Sequence, residues 1–192
     1  MKGILTRNLA NFAFGLALLI WLILSGLIYN SLRDLLENNQ KVSHTLTVLQ
    51  RLDETLALLT DAETASRGYV ITGEDRFLEP YNAALSSSNG IQQRLQELGQ
   101  LTGDNPNQQA RLDLLDSLAA QNLAWIQQII DLRKREGFEA AQKAVSTESG
   151  KRIMDDIRRV IAEMKDEERG LLQQRSEASA GSSQRTTLLR NF

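Results

Sequence analysis

Cysteine is absent from the 192 residues. That one absence excludes disulfides, thiol catalysis, iron–sulfur clusters and cysteine-bound zinc. Histidine occurs once, at His44, with no i,i+4 partner and no second ligand for a metal or a catalytic triad. Proline is confined to Pro80 and Pro106, and runs of β-branched residues are missing. This leaves long helices rather than sheet as the expected architecture. A net charge of −2 with scattered Lys and Arg offers no basic stripe for nucleic acid. Phosphate loops, nucleophile elbows, dinucleotide fingerprints and zinc-protease helices are also missing, so the chain reads as a non-enzyme with no cofactor and no metal.

The acidic groups give no different answer. Glu54 and Glu63, or Asp166-Glu167-Glu168, could in principle hold a cation. Glu167 and Glu168, however, are helical neighbours that point apart, and solvated charge is the expected role of all five.

What the sequence does contain begins near its N-terminus. From Leu9 to Tyr29 it reads LANFAFGLALLIWLILSGLIY, without a charge. At 1.5 Å per residue the stretch spans about 30 Å, the thickness of a hydrocarbon core. Lys2 and Arg7 precede it, which holds the N-terminus in the cytoplasm by the positive-inside tendency. A cleaved signal peptide is the competing reading. Its apolar region would be shorter, and the small pair Ser25-Gly26 lies inside the stretch. Either reading exports the chain beyond Tyr29. The expected division is a cytoplasmic N-terminus over 1–8, a membrane helix over 9–29, an exported four-helix domain over 30–180, and a juxtamembrane segment over 181–192.

Beyond Tyr29 the fold class expected is all-α: an antiparallel four-helix bundle whose first helix continues from the membrane helix. Leu32, Leu35, Leu36, Val42, Leu46, Leu49, Leu52, Leu56 and Leu59 mark the first apolar face. A second helix is expected from Asp75 to about Leu101, weakened at Gly90, with Leu78, Tyr81, Leu85, Ile91, Leu95, Leu98 and Leu101 inward. Thr102-Gly103-Asp104-Asn105-Pro106 reads as a stop and restart. The third helix then runs to Glu136 on a seam of Leu112, Leu115, Ala119, Asn122, Ile126, Ile129 and Arg133. After Gly137, a short piece covers Phe138 to Val145, and Ser146, Thr147 or Ser149 caps the last helix. That helix turns Ile153, Ile157, Val160, Ile161, Met164, Leu171 and Leu172 inward. Glu148–Arg152 and Asp155–Arg159 would pair on its outer side, and Gly181-Ser182-Ser183 would loosen its end.

One stretch stands apart, from Asp61 to Tyr81. Glu63 and Arg67 are four apart and can pair along a helix. Gly68 admits a close neighbour, Thr72-Gly73 ends the helix, and Phe77 and Tyr81, flanking Pro80, pack back at i,i+4. Read locally, this is a helical hairpin whose polar residues tie its tip.

The stretch resembles the signature of the third class of CHASE domains, extracellular sensor modules of bacterial receptors. The pattern D-x-E-T/S-x-x-R-G-Y-hydrophobic-hydrophobic-T-G-x-x-x-F-L-x-P-Y falls on Asp61, Glu63, Arg67, Gly68, Tyr69, Thr72, Gly73, Phe77, Pro80 and Tyr81. Similarity continues through Asp104-Asn105-Pro106 with Gln109, Gly137-Phe138-Glu139-Ala140-Ala141, Gly150-Lys151 with Met154-Asp155, and the run from Glu168 through Leu171-Leu172 to Arg175. The resemblance implies the sensory input of a bacterial inner-membrane receptor, most often a histidine kinase. It would act as a homodimer and answer a small-molecule or protein stimulus that the sequence does not name. Residues 30–192 would be periplasmic or extracellular. A membrane-anchored helical scaffold for another envelope protein is the alternative.

Overall fold

The computed structural model describes the backbone of residues 2–189 and the side chains of residues 14–174. The described residues form six α-helices and no strand. These are α1 (Lys2–Thr72), α2 (Glu79–Ala84), α3 (Ile91–Leu101), α4 (Pro106–Glu136), α5 (Phe138–Val145) and α6 (Ser149–Leu189), with a 3₁₀ turn at Asp75–Leu78 before α2.

The chain divides into two compact units, residues 44–174 and residues 1–43 with 175–192. In the terminal unit, Phe14, Leu16 and Leu18 to Leu24 expose their apolar side chains, as do Leu27, Ile28 and Tyr29. α1 is the one helix among the described residues long and apolar enough to cross a membrane.

The larger unit is an up-down-up-down bundle whose directions are set by its side-chain bridges. Arg51 on α1 meets Glu97 at 3.0 Å and Glu54 meets Arg94 at 3.3 Å, which sets α1 and α3 antiparallel. Gln109 Nε2 donates to the Gly99 carbonyl and to Thr102 Oγ1, turning α4 back along α3. Gln108 donates to the Met164 carbonyl and to Glu168 of α6. Thr45 donates to Glu168, closing α6 against α1.

Three helix boundaries have a clear chemical cause. Gly73 adopts φ +74 and donates to the Tyr69 carbonyl at 2.7 Å, a left-handed stop that a Cβ would disfavour. Asn105 accepts from the amides of Asn107 and Gln108, and Pro106 opens α4. Gly137, at φ +89, separates α4 from α5.

Several expectations need correction. The second helix is not continuous, because the run Ser86 to Gly90 forms a turn between α2 and α3. A Cβ on Gly90 would lie 2.2 Å from the Ser86 carbonyl oxygen and 2.5 Å from that of Ala84, so this turn is built on glycine. Leu85 consequently points outward.

On α1 the inward seam is Thr45, Val48, Leu52, Thr55, Leu59 and Ala62, and Leu46 is exposed. Leu32, Leu35 and Leu36 are exposed as well. Thr55 serves as a core residue because its hydroxyl bonds the Arg51 carbonyl at 2.8 Å, leaving the methyl to pack. On α6, Asp155 pairs with Lys151 and Arg158, whereas Arg159 pairs with Asp156 and Glu163. Glu148 precedes the helix in a left-handed conformation, φ 61. α6 also runs through Gly181-Ser182-Ser183 to Leu189 without loosening, and the terminal Arg190-Asn191-Phe192 lies outside the described residues. The α4 seam is placed as expected, with Leu112, Leu115, Ala119, Asn122, Ile126 and Ile129 all buried.

Candidate functional site

The hairpin residues gather at the C-terminal end of α1. Glu63 and Arg67 form the expected pair at 2.6 Å, with Glu63 more enclosed than its partner. Gly68 faces Phe77, and a Cβ added there would meet the ring at 2.8 Å. Tyr69 is buried, with the Lys134 ammonium 5.9 Å above its ring. Thr72 caps its own helix end, accepting from the Glu74 amide while donating to the Gly68 carbonyl. Pro80 sits in the first turn of α2. Tyr81 is buried and donates to Gln127 on α4 at 2.9 Å. Burial raises the Tyr81 pKa, and the nearby Asp131 carboxylate adds to the effect. Asp61 stays exposed on α1.

Arg133 completes this end of the bundle. Its Nε donates to the Val70 carbonyl at 2.9 Å, one of the last carbonyls of α1 and so without a helical partner. Its charge also complements the negative end of the α1 dipole. Arg133 stands at the last step of the expected α4 seam, but its role as a clamp on α1 depends on a contact 63 residues away in sequence.

Between these elements lies a half-open cavity of about 460 Å³, lined by α1, α4, α5 and the start of α6. Val70, Trp125, Ile126, Ile129, Phe138 and Val145 supply its apolar walls. Glu63, Arg67, Glu148 and Lys151 supply its charges, with Ser66, Gln142 and Ser146 between them. Arg67 is neutralised by Glu63, and Lys151 by Asp155 at 2.6 Å. The hydrogen bond to Asp155 raises the Lys151 pKa, and the same bond lowers that of Asp155. Trp125 fits because residue 150 is glycine, where a Cβ would lie 2.5 Å from the indole Nε1. Of the ten signature residues, Glu63 and Arg67 line this cavity. Asp61, Thr72, Gly73, Pro80 and Tyr81 are not among its lining residues.

A second polar assembly lies nearer the other end of the larger unit. Glu168 is only 4% exposed. It accepts from Gln108 at 3.0 Å and from Thr45 at 3.2 Å, tying α6 to α4 and α1. Glu167 accepts from Asn105 and from Arg111. The expectation of solvated charge therefore fails for both residues. Glu54 likewise belongs to a four-charge cluster with Arg51, Arg94 and Glu97. The hydrogen bond from Arg51, with that from Gln50, lowers the Glu54 pKa. Among the described residues, no group of three histidine or acidic side chains is placed to hold a metal ion.

Comparison with known proteins agrees with this outline. No curated protein sequence matches the chain. The crystal structure of the sensor domain of histidine kinase HK9 from Rhodopseudomonas palustris superimposes with a TM-score of 0.60 at 24% identity, covering 67% of this chain and 98% of that one. At that identity the likeness establishes a shared fold. The CHASE3 domain profile matches residues 38–178, which includes every helix of the larger unit and the whole hairpin stretch. The chain therefore belongs to the CHASE3 domain family, a family of sensory domains.

Proposed function

We propose that this chain is the extracytoplasmic input domain of a transmembrane signalling receptor of the histidine kinase type, working as a homodimer. The family match over residues 38–178 carries the reading. It is supported by α1, one unbroken helix that contains both the apolar stretch and the first seam of the bundle. Lys2 and Arg7 ahead of that stretch favour a cytoplasmic N-terminus.

In this reading a stimulus changes the balance between two packings of α1 against α6. Packed helix interfaces switch between discrete arrangements rather than bending freely, so a small slide or rotation can persist along a helix. The stimulus must prefer one packing. Moving the balance from 1:99 to 99:1 takes about 5.5 kcal/mol of differential binding.

The lack of cysteine makes the test direct. His44→Cys, at an exposed position, should react with a membrane-impermeant maleimide on intact cells. Labelling only after the membrane is opened would contradict the orientation. Single cysteines along the exposed positions Leu32, Leu35 and Leu36 should give oxidised dimers in membranes with a helical periodicity. Monomers throughout would contradict the homodimer.

A further inference from the structure

The geometry points to the cavity beside the Glu63–Arg67 pair as a binding site for an uncharged, chiefly apolar small molecule carrying a ring and one or two hydroxyl or carbonyl groups. This inference rests on the sensory reading above and names the chemistry of the stimulus.

Size is the first argument. About 460 Å³ falls within the range of roughly 300–1,000 Å³ usual for small-molecule sites. The walls are the second. Trp125 and Phe138 offer ring faces, and Ile126, Ile129, Val70 and Val145 offer aliphatic surface, the lining that such sites generally have.

Charge balance is the third argument, and it selects the class. Two carboxylates, Glu63 and Glu148, stand against two cations, Arg67 and Lys151. Each cation already faces a carboxylate, Glu63 in one case and Asp155 in the other. An anionic ligand would have to displace Glu63 or Asp155, and a cationic one would have to compete with Arg67 for Glu63 or with Lys151, whose charge also acts on Glu148. A neutral ligand disturbs neither pair and loses the least hydration on entry. The exposed amide of Gln142 and the rim hydroxyl of Ser146 suit a hydroxyl or carbonyl group.

Position is the last argument. The cavity is walled by α1 on one side and by the first turn of α6 on another. Just before that turn stands Glu148, a lining residue with φ 61. A non-glycine residue in this conformation stores backbone strain, as binding and switch regions often do. An occupant would touch both helices whose relative packing the receptor reading requires to shift.

The test uses the full chain in lipid nanodiscs with Trp21→Phe, which leaves Trp125 as its sole indole. The probes share one skeleton and differ in charge: 4-ethylphenol, 4-ethylbenzoate and 4-ethylbenzylammonium. The expected result is a saturable change in Trp125 emission with 4-ethylphenol, and binding of both charged probes weaker by about tenfold or more. Val145→Phe should remove the saturable change. Gln142→Phe, at an exposed lining position, serves if that variant fails to fold. No saturable change with 4-ethylphenol, tighter binding of either charged probe, or undiminished binding in the folded blocking variants would overturn the site or its class. Binding as expected, in a receptor fusion whose output ignores 4-ethylphenol, would support the site and contradict the receptor reading. A fusion that signals to another stimulus while 4-ethylphenol never binds would overturn the site alone.

Discussion

Arg133→Ala should destabilise the bundle by about 2 kcal/mol. The guanidinium donates at 2.9 Å to Val70, whose carbonyl would otherwise accept from the amide of residue 74. That amide is turned to the Thr72 hydroxyl instead, so Arg133 supplies the bond that the helix end lacks. A hydrogen bond from a charged donor contributes about 1.5–3 kcal/mol. A cation at a helix C-terminus adds about 0.3–1 kcal/mol. Arg133 is only partly buried, and water can recover some of the lost bonding in the variant, which brings the sum to about 2 kcal/mol. For a chain of this size that corresponds to a fall in Tm of about 4–8 °C, read by ellipticity at 222 nm on the full chain in detergent.

A coupled variant sharpens the test. Gly73→Ala places a methyl 2.9 Å from Arg133 Nη2 and forces alanine to φ +74, at a cost of about 1–2 kcal/mol. Removing the arginine relieves the contact but not the φ strain. The double variant should therefore lose less than the sum of the single losses, by about 0.5 kcal/mol or more. A melting temperature for Arg133→Ala within 1–2 °C of the parent, or strict additivity in the pair, would refute this account of the helix end.

Particular contacts elsewhere in the bundle set further outcomes. Gly90→Ala, with its Cβ driven to 2.2 Å from the Ser86 carbonyl oxygen, should cost about 3 kcal/mol in a urea melt. Gly103→Ala, whose nearest contact is 3.4 Å, should stay within about 1 kcal/mol, and equal losses would contradict the turn assignment. Asn122 is fully buried and neither side-chain polar atom has a hydrogen-bond partner among the described residues, so Asn122→Leu should raise stability by about 1–2 kcal/mol, and a lower Tm would show that the amide is used. The raised pKa of Tyr81 means that its neutral form is favoured by folding. Its contribution is fully present below the unfolded tyrosine pKa and is lost as pH rises through the folded one. Tyr81→Phe should therefore flatten the alkaline fall in stability, and an unchanged alkaline limb would contradict the assignment.

Much of this fold is written locally, and the parts that are not have identifiable reasons. The stops at Gly73, Asn105-Pro106 and Gly137 are legible because each depends on one residue's backbone preference. The α4 seam is legible because its apolar spacing is nearly uninterrupted. The α1 seam is harder, since Thr45 and Thr55 count as polar in sequence yet pack as methyl groups once their hydroxyls are bonded. The break at Gly90 reads as a weak point in a helix, while the decisive fact is the close backbone around it. Glu63–Arg67 is visible as an i,i+4 pair. The cavity beside it draws on four helices and residues 63 to 151, and no spacing within one helix could announce it. Glu168 is misread for the same reason, because its partners Gln108 and Thr45 lie 60 and 123 residues away.

The central claim is that relative packing of α1 and α6 carries the signal. It is tested most directly by joining the full chain to the kinase core of a transmembrane histidine kinase and tethering the two helices. Asp53 on α1 and Lys165 on α6 are ion-paired across that interface, and a chain without cysteine lets Asp53→Cys with Lys165→Cys be bridged by a short bifunctional thiol reagent. The account predicts that the bridged fusion holds one fixed level of autophosphorylation and that cleaving the bridge restores a level that stimulus can shift. Equal, stimulus-responsive autophosphorylation with the bridge complete and with it cleaved would contradict the claim.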